Sequence, residues 1–117
     1  NLEPIADLAF LEAARAAVKE VVVAEDLLEY IVDLVRSTRE HPSLLCGGSP
    51  RSAAMLAGAA RANAILNGRD FAIADDVKEL LKPLLAHRLV LAPGVEIDGT
   101  TAGSILQELI EKCPAPR

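Results

Sequence analysis

The chain has 117 residues, 51% hydrophobic but only 3% aromatic, with a formal net charge of −5 and a sequence pI of about 5.0. That length suits one domain able to bury a core without staples, while the acidic balance and scattered Lys and Arg exclude a surface built for nucleic acid or an anionic membrane. The two cysteines, Cys46 and Cys113, and the two histidines, His41 and His87, stand at no metal-ligand spacing, so no zinc site is expected.

Leu8, Leu11, Ala14 and Val18 recur at intervals of three and four, which predicts a first helix from Ile5 to about Lys19. Val21-Val22-Val23 is a β-branched run too short for a helix and reads as extended. Leu27, Leu28, Ile31, Leu34 and Val35 form a second stripe, led by Glu25, Asp26 and Glu29 where the helix dipole favours them, and it should run to about Arg39. Pro42 biases His41 away from helix, and Leu44 to Gly48 reads as a loop. A third helix opens at Ser49-Pro50 and carries Ala53, Leu56, Ala57, Ala60 and Ala64 on one face, small enough for a neighbouring backbone to come close. Asn67-Gly68 signals its end.

Phe71-Ala72-Ile73 is a second extended piece, so residues 21–23 and 71–73 could pair as a minimal two-stranded ladder. Asp75-Asp76 lead a fourth helix with the stripe Val77, Leu80, Leu81, Leu84 and Leu85, in which Pro83 removes one ladder bond. After Ala92-Pro93-Gly94, Val95-Glu96-Ile97 leads to a last helix from about Thr101 to Lys112, with Ile105, Leu106, Leu109 and Ile110 along one side. The sum is an all-α, five-helix bundle in which every stripe needs a partner. No apolar run approaches the ~20 residues of a membrane span, and the cysteine usage fits a reducing, cytoplasmic setting.

Gly47-Gly48-Ser49-Pro50-Arg51 is the stretch with the most chemistry. Ser49 suits the N-cap and Pro50 the first helical position. Arg51 then stands at the positive end of the dipole, where a cation is disfavoured by up to ~1 kcal/mol unless an anion is present. Free backbone N–H groups, two glycines allowing close approach and a guanidinium would together suit a phosphate group. The alternative is a solvated surface arginine. Elsewhere, His87-Arg88 suits the negative end of the fourth helix, Arg39 and Arg69 read as capping or surface charges, and Tyr30 reads as edge packing. No G-x-x-x-x-G-K-[ST] phosphate loop and no oriented nucleophilic triad occurs.

Gly48-Ser49-Pro50-Arg51, Ala59-Ala60-Arg61-Ala62, Gly68-Arg69-Asp70-Phe71, Asp75-Asp76-Val77 and Leu85-Ala86-His87-Arg88-Leu89 together resemble the C-terminal lid of MoxR-type AAA+ ATPases. Tyr30-Ile31-Val32 and Thr38-Arg39-Glu40 fit the same pattern, so the resemblance covers nearly the whole chain. It implies a helical lid that follows a P-loop core domain and closes over ATP, with Mg held by that absent core. Arg51 matches the second-sensor arginine, Ser49 and Pro50 would set the helix start, and Ala54 would face the nucleotide side. The implied partners are the chain's own core domain and neighbouring subunits of a hexameric ring, working as a chaperone-like remodelling ATPase on a protein client. The lid alone would not be catalytic.

One departure is Ala74, where related lids often have Ser or Thr, which leaves the fourth helix without its usual cap at a cost of ~1 kcal/mol. A start at Asn1 rather than Met fits a piece of a longer protein. Two alternatives compete with the lid. A histone-fold-like module would share the long helix, the short strand with Arg69 and the Asp-led helix, but should be basic. A generic helical adaptor would bind a partner helix in a groove and would leave the Gly47–Arg51 stretch unexplained.

Overall fold

Four of the five apolar stripes are buried in a common core and the first is not. The computed structural model describes residues 2–116. Its elements are α1 (Leu8–Lys19), α2 (Glu25–Glu40), β1 (Leu44–Cys46), α3 (Pro50–Leu66), α4 (Ala74–Leu85), β2 (Val90–Leu91) and α5 (Ala102–Lys112), with 3₁₀ turns at Ala86–Arg88 and Val95–Asp98. The five-helix, all-α expectation holds, with helix ends close to those read from the pattern.

α3 is the centre of the bundle, packing against α1, α2 and α4. Its buried side is Ser52, Leu56, Ala57, Ala60 and Ala64, and the three alanines let the α2 and α4 leucines approach closely. Ile31 and Leu34 of α2, Leu81 and Leu85 of α4, and Ile105 and Leu106 of α5 are the large side chains of this core. Each contributes roughly 1.5–3 kcal/mol by leaving water. Tyr30 is also fully buried, 3% exposed, and not at the edge. Its hydroxyl has no hydrogen-bond partner among the described residues, and burial pushes its pKa up, helped by Cys113 and Asp75.

α1 is shorter than the pattern suggested. Asp7 caps it by accepting from the Phe10 N–H at 2.9 Å, which sets the start at Leu8 rather than Ile5. None of its residues is buried.

The expected pairing of the short extended pieces forms, and a second pairing forms that the sequence pattern did not suggest. Residues 21–23 and 71–73 meet at one parallel bridge, Val22 with Phe71, held by Val22 N–H to Asp70 O at 3.0 Å and Ala72 N–H to Val22 O at 2.9 Å. The two-stranded sheet lies elsewhere, in the stretch read as a loop: β1 pairs antiparallel with β2, Leu44 opposite Leu91 and Cys46 opposite Val90. Their partnership spans about half the chain, and a pairing so distant in sequence leaves no local periodicity to read.

The helix ends obey local rules. Gly68, at φ +76°, closes α3 in a Schellman arrangement, with Arg69 N–H to Ala64 O and Gly68 N–H to Ile65 O, both 2.9 Å. α4 continues through Pro83 and then tightens into the Ala86–Arg88 turn. Thr101 and Ser104 cap α5 reciprocally. At its other end, Glu108 meets His41 at 3.4 Å and Lys112 at 2.6 Å, tying α5 to the end of α2.

Candidate functional site at the start of α3

The chain enters α3 from β1 through Gly47 and Gly48, and that entry is held from below. The Thr38 hydroxyl, buried in the last turn of α2, donates to Val35 O at 2.6 Å and accepts the Gly48 N–H at 2.7 Å. A Cβ on Gly47 would lie 2.5 Å from the Arg39 nitrogen and from the Thr38 carbonyl carbon, and one on Gly48 would meet Val35 and Thr38 at 3.2 and 3.4 Å. Gly47 is therefore needed for the approach of α2, while Gly48 sits in a tight but side-chain-lined space. The expectation that they open space for an anion is corrected: Gly47 faces the backbone of α2, Gly48 faces the Val35 and Thr38 side chains, and the Gly48 N–H is already taken.

Ser49 has the extended backbone of an N-cap (φ −82°, ψ 166°), and Pro50 occupies the first turn. Its hydroxyl does not cap, however, and lies 3.4 Å from that of Ser52. Ser52 N–H bonds to Ser49 O at 2.9 Å. Arg51 is exposed. Among the described residues it has no salt-bridge partner, the ion pairs lying at Arg36, Arg69 and Lys112. Ala54, one turn on, is exposed on the same side. The residues that remain fit an anion in a restricted way: a guanidinium free to reach, over a helix start whose side-chain cap is unmade. They supply one charged contact to a phosphate and no cradle.

The other end of α3 is built around a charge pair that was not read from the pattern. Arg69 is not a surface or capping charge. Its guanidinium clamps Asp76 through two hydrogen bonds of 2.7 Å, and Asp76 is only 1% exposed. The same carboxylate accepts from Asn63 of α3 at 2.9 Å and from the Ile73 N–H at 2.8 Å, while Arg69 also donates to Phe71 O at 3.1 Å. Arg69 first, then the Ile73 and Asn63 donors, hold the Asp76 carboxyl below its ordinary value of 3.8 despite burial. Ile73 is the N-cap of α4, so the Asp76 carboxylate at the third position reaches back to the N–H that a capping Ser or Thr would leave open. The cap position expected at Ala74 falls instead on Ile73, whose apolar side chain cannot cap, and the Asp76 contact partly offsets that loss. Asp76 beside Val77 could have been suspected from its place on the apolar stripe, and Thr38 likewise continues Ile31, Leu34 and Val35.

The sequence profile of the AAA lid domain matches residues 36–109, from the last turns of α2 through both ends of α3 to most of α5. The chain belongs to the AAA lid domain family. Among its relatives, the lid is 37% identical over 119 residues to the uncharacterized protein YeaC of Bacillus subtilis, covering 99% of this chain and 36% of YeaC. It is 30% identical over 100 residues to the chaperone MoxR1 of Mycobacterium tuberculosis, covering 78% of this chain and 26% of MoxR1. A crystal structure of a Cytophaga hutchinsonii protein assigned as an ATPase superposes with a TM-score of 0.82 at 30% identity, covering 87% of this chain and 34% of that one. The lid therefore spans between about a quarter and about a third of the length of these proteins. The match favours a MoxR-type lid over the histone-fold-like and generic helical-module readings. No helix among the described residues is long and apolar enough to cross a membrane.

Proposed function

We propose that this lid belongs to a longer MoxR-type AAA+ ATPase and closes over ATP bound by a P-loop core domain, with Arg51 as its second-sensor arginine. The observation that supports this most is the contrast between the ends of α3. Arg69 is saturated by a buried carboxylate, whereas Arg51 is exposed, unpaired among the described residues and set over an uncapped helix start. A cation held against its own helix dipole gains most from an anion supplied from outside.

In this reading Arg51 contacts the phosphates as negative charge shifts during hydrolysis, and Ser49 and Pro50 define where α3 begins. Ala54 leaves room on the nucleotide side. ATP supplies the transferable phosphoryl group, and the core domain holds it with Mg. Because α3 is packed into the bundle, a pull on Arg51 turns the lid as a unit, which couples nucleotide state to lid angle. The whole protein is then a cytoplasmic, ring-forming remodelling ATPase, hexameric by resemblance.

Arg51→Ala in the full-length ATPase tests this. The variant should keep the wild-type circular dichroism and melting temperature, since the side chain is exposed. ATP turnover should fall by about 100-fold, the scale of losing one preorganised charge contact. Unchanged turnover removes Arg51 from the mechanism.

A further inference from the structure

His41 stands where three elements meet, and each of its ring nitrogens faces one of the other two. It closes α2, and its side chain is only 12% exposed. Nδ1 accepts the Ser43 N–H at 3.1 Å, and Nε2 lies 3.4 Å from Glu108 Oε2 of α5. A backbone N–H can only donate, so Nδ1 carries no proton. The neutral ring therefore holds its proton on Nε2 and donates it to the Glu108 carboxylate. Ser43 is where the sheet begins. Its carbonyl accepts the Ala92 N–H at 2.8 Å, beside the Leu44–Leu91 pair, and β1 runs on from there to Gly47, Gly48 and α3. One neutral imidazole thus joins α5 to the strand that leads to Arg51.

We propose that His41 is a proton-operated coupling between α5 and the β1 entry to α3: the neutral ring holds both, and the imidazolium keeps Glu108 and releases Ser43. A second proton has only Nδ1 to bind, and there it would point at the Ser43 N–H, donor against donor. The charged ring must give up one partner. With the Glu108 carboxylate it makes a charge-assisted hydrogen bond, roughly twice as strong as a neutral one, so the contact that is lost is the one to Ser43. Glu108 stays ionised meanwhile, because Lys112, 2.6 Å away, and then His41 hold its carboxyl below the ordinary value of 4.5. Arg39 and Glu40, on the last turn of α2 itself, are exposed, and β1 brings only the exposed Cys46. Among the described residues, α3 and β1 place no charged group in ion-pair contact with His41. Histidine is the side chain whose charge changes between about pH 5 and pH 8, so the coupling responds where the rest of the fold does not titrate. The Gly48 N–H stays on the Thr38 hydroxyl throughout, which confines the loosening to the start of β1.

Imidazole nitrogen NMR and amide hydrogen exchange on the 117-residue chain read this directly. At about pH 8 the His41 ring should be the Nε2–H tautomer. Between about pH 8 and pH 5 the Ser43 protection factor should fall by about 5-fold, the scale of one neutral hydrogen bond. Over the same range two amides should keep their protection: Gly48, held by Thr38, and Cys113, bonded to Leu109 O at the end of α5. His41→Asn puts a side-chain oxygen in place of Nδ1, able to accept the N–H two residues on at any pH, so Ser43 protection in that variant should not change with pH. An Nδ1–H tautomer at about pH 8 overturns the proposal. So does wild-type Ser43 protection that stays constant across the range, or that falls equally in His41→Asn. Loss of protection at Cys113 in step with Ser43 also overturns it, because the imidazolium would then not be holding α5.

Discussion

Thr38 and Gly47 anchor the entry to α3 on the last turn of α2, and that anchoring fixes where Arg51 starts. The Gly48 N–H is bonded to the Thr38 hydroxyl and Gly47 is pressed onto the last turn of α2, so the exposed Arg51 side chain projects from a held backbone. Gly47→Ala tests the point. Its Cβ would fall 2.5 Å from backbone atoms of Thr38 and Arg39, which cannot yield as a flexible side chain would. We expect a loss of roughly 1–3 kcal/mol, the scale of overpacking a close contact, measured by urea denaturation of this chain. Stability equal to wild type would mean that the loop is free to shift. Gly47-Gly48 was legible as a place of close approach, but its neighbour was not, because glycine reports only that something is near.

Between helices, the joint from α3 to α4 is where electrostatics holds the fold. Asp76 receives hydrogen bonds from Arg69, Asn63 and Ile73, so one carboxylate joins the end of α3, the turn at Gly68 and the start of α4. Its pKa is lower in the folded chain than the ordinary 3.8. The stability that it contributes is therefore fully present above about pH 4 and is lost as the pH falls from there toward the folded value. Asp76→Asn should cost on the order of 3 kcal/mol at pH 7, the scale of breaking a buried ion pair. It should also flatten the loss of stability between pH 5 and pH 3 relative to wild type, measured by denaturation at each pH. Parallel pH profiles would assign the acid sensitivity elsewhere, with Glu108, held low by Lys112 and His41, the next group to examine. The pairing of Arg69 with Asp76 was not legible, since residues seven apart across a turn share no helical face.

The assembled molecule offers one cation to a ligand that other parts must hold. A single exposed guanidinium cannot supply even the ~8 kcal/mol of a micromolar site. The 117-residue chain should accordingly bind ATP with a Kd weaker than ~1 mM, checked by isothermal titration calorimetry. Micromolar binding would show that this chain contains a nucleotide site of its own. The contrast within the bundle fits a part made to move against a neighbour. α2 to α5 share a closed core, while α1 and Arg51 face outward.

Much of this was determined along the chain itself. Helical stripes, the Ser49-Pro50 start, the Asn67-Gly68 stop and the final helix depend on residues within a turn or two of one another, so spacing and local chemistry suffice to place them. Arg51 stood out for the same reason, as a cation on the wrong end of its own helix. Only the tertiary structure decided the rest. It placed the sheet at Leu44–Cys46 and Val90–Leu91, put Asp76 under Arg69, turned both glycines toward α2 and left α1 uncovered. Each of those outcomes depends on which distant segment arrives at a given surface, and that is settled by packing over the whole core rather than by any short stretch of residues.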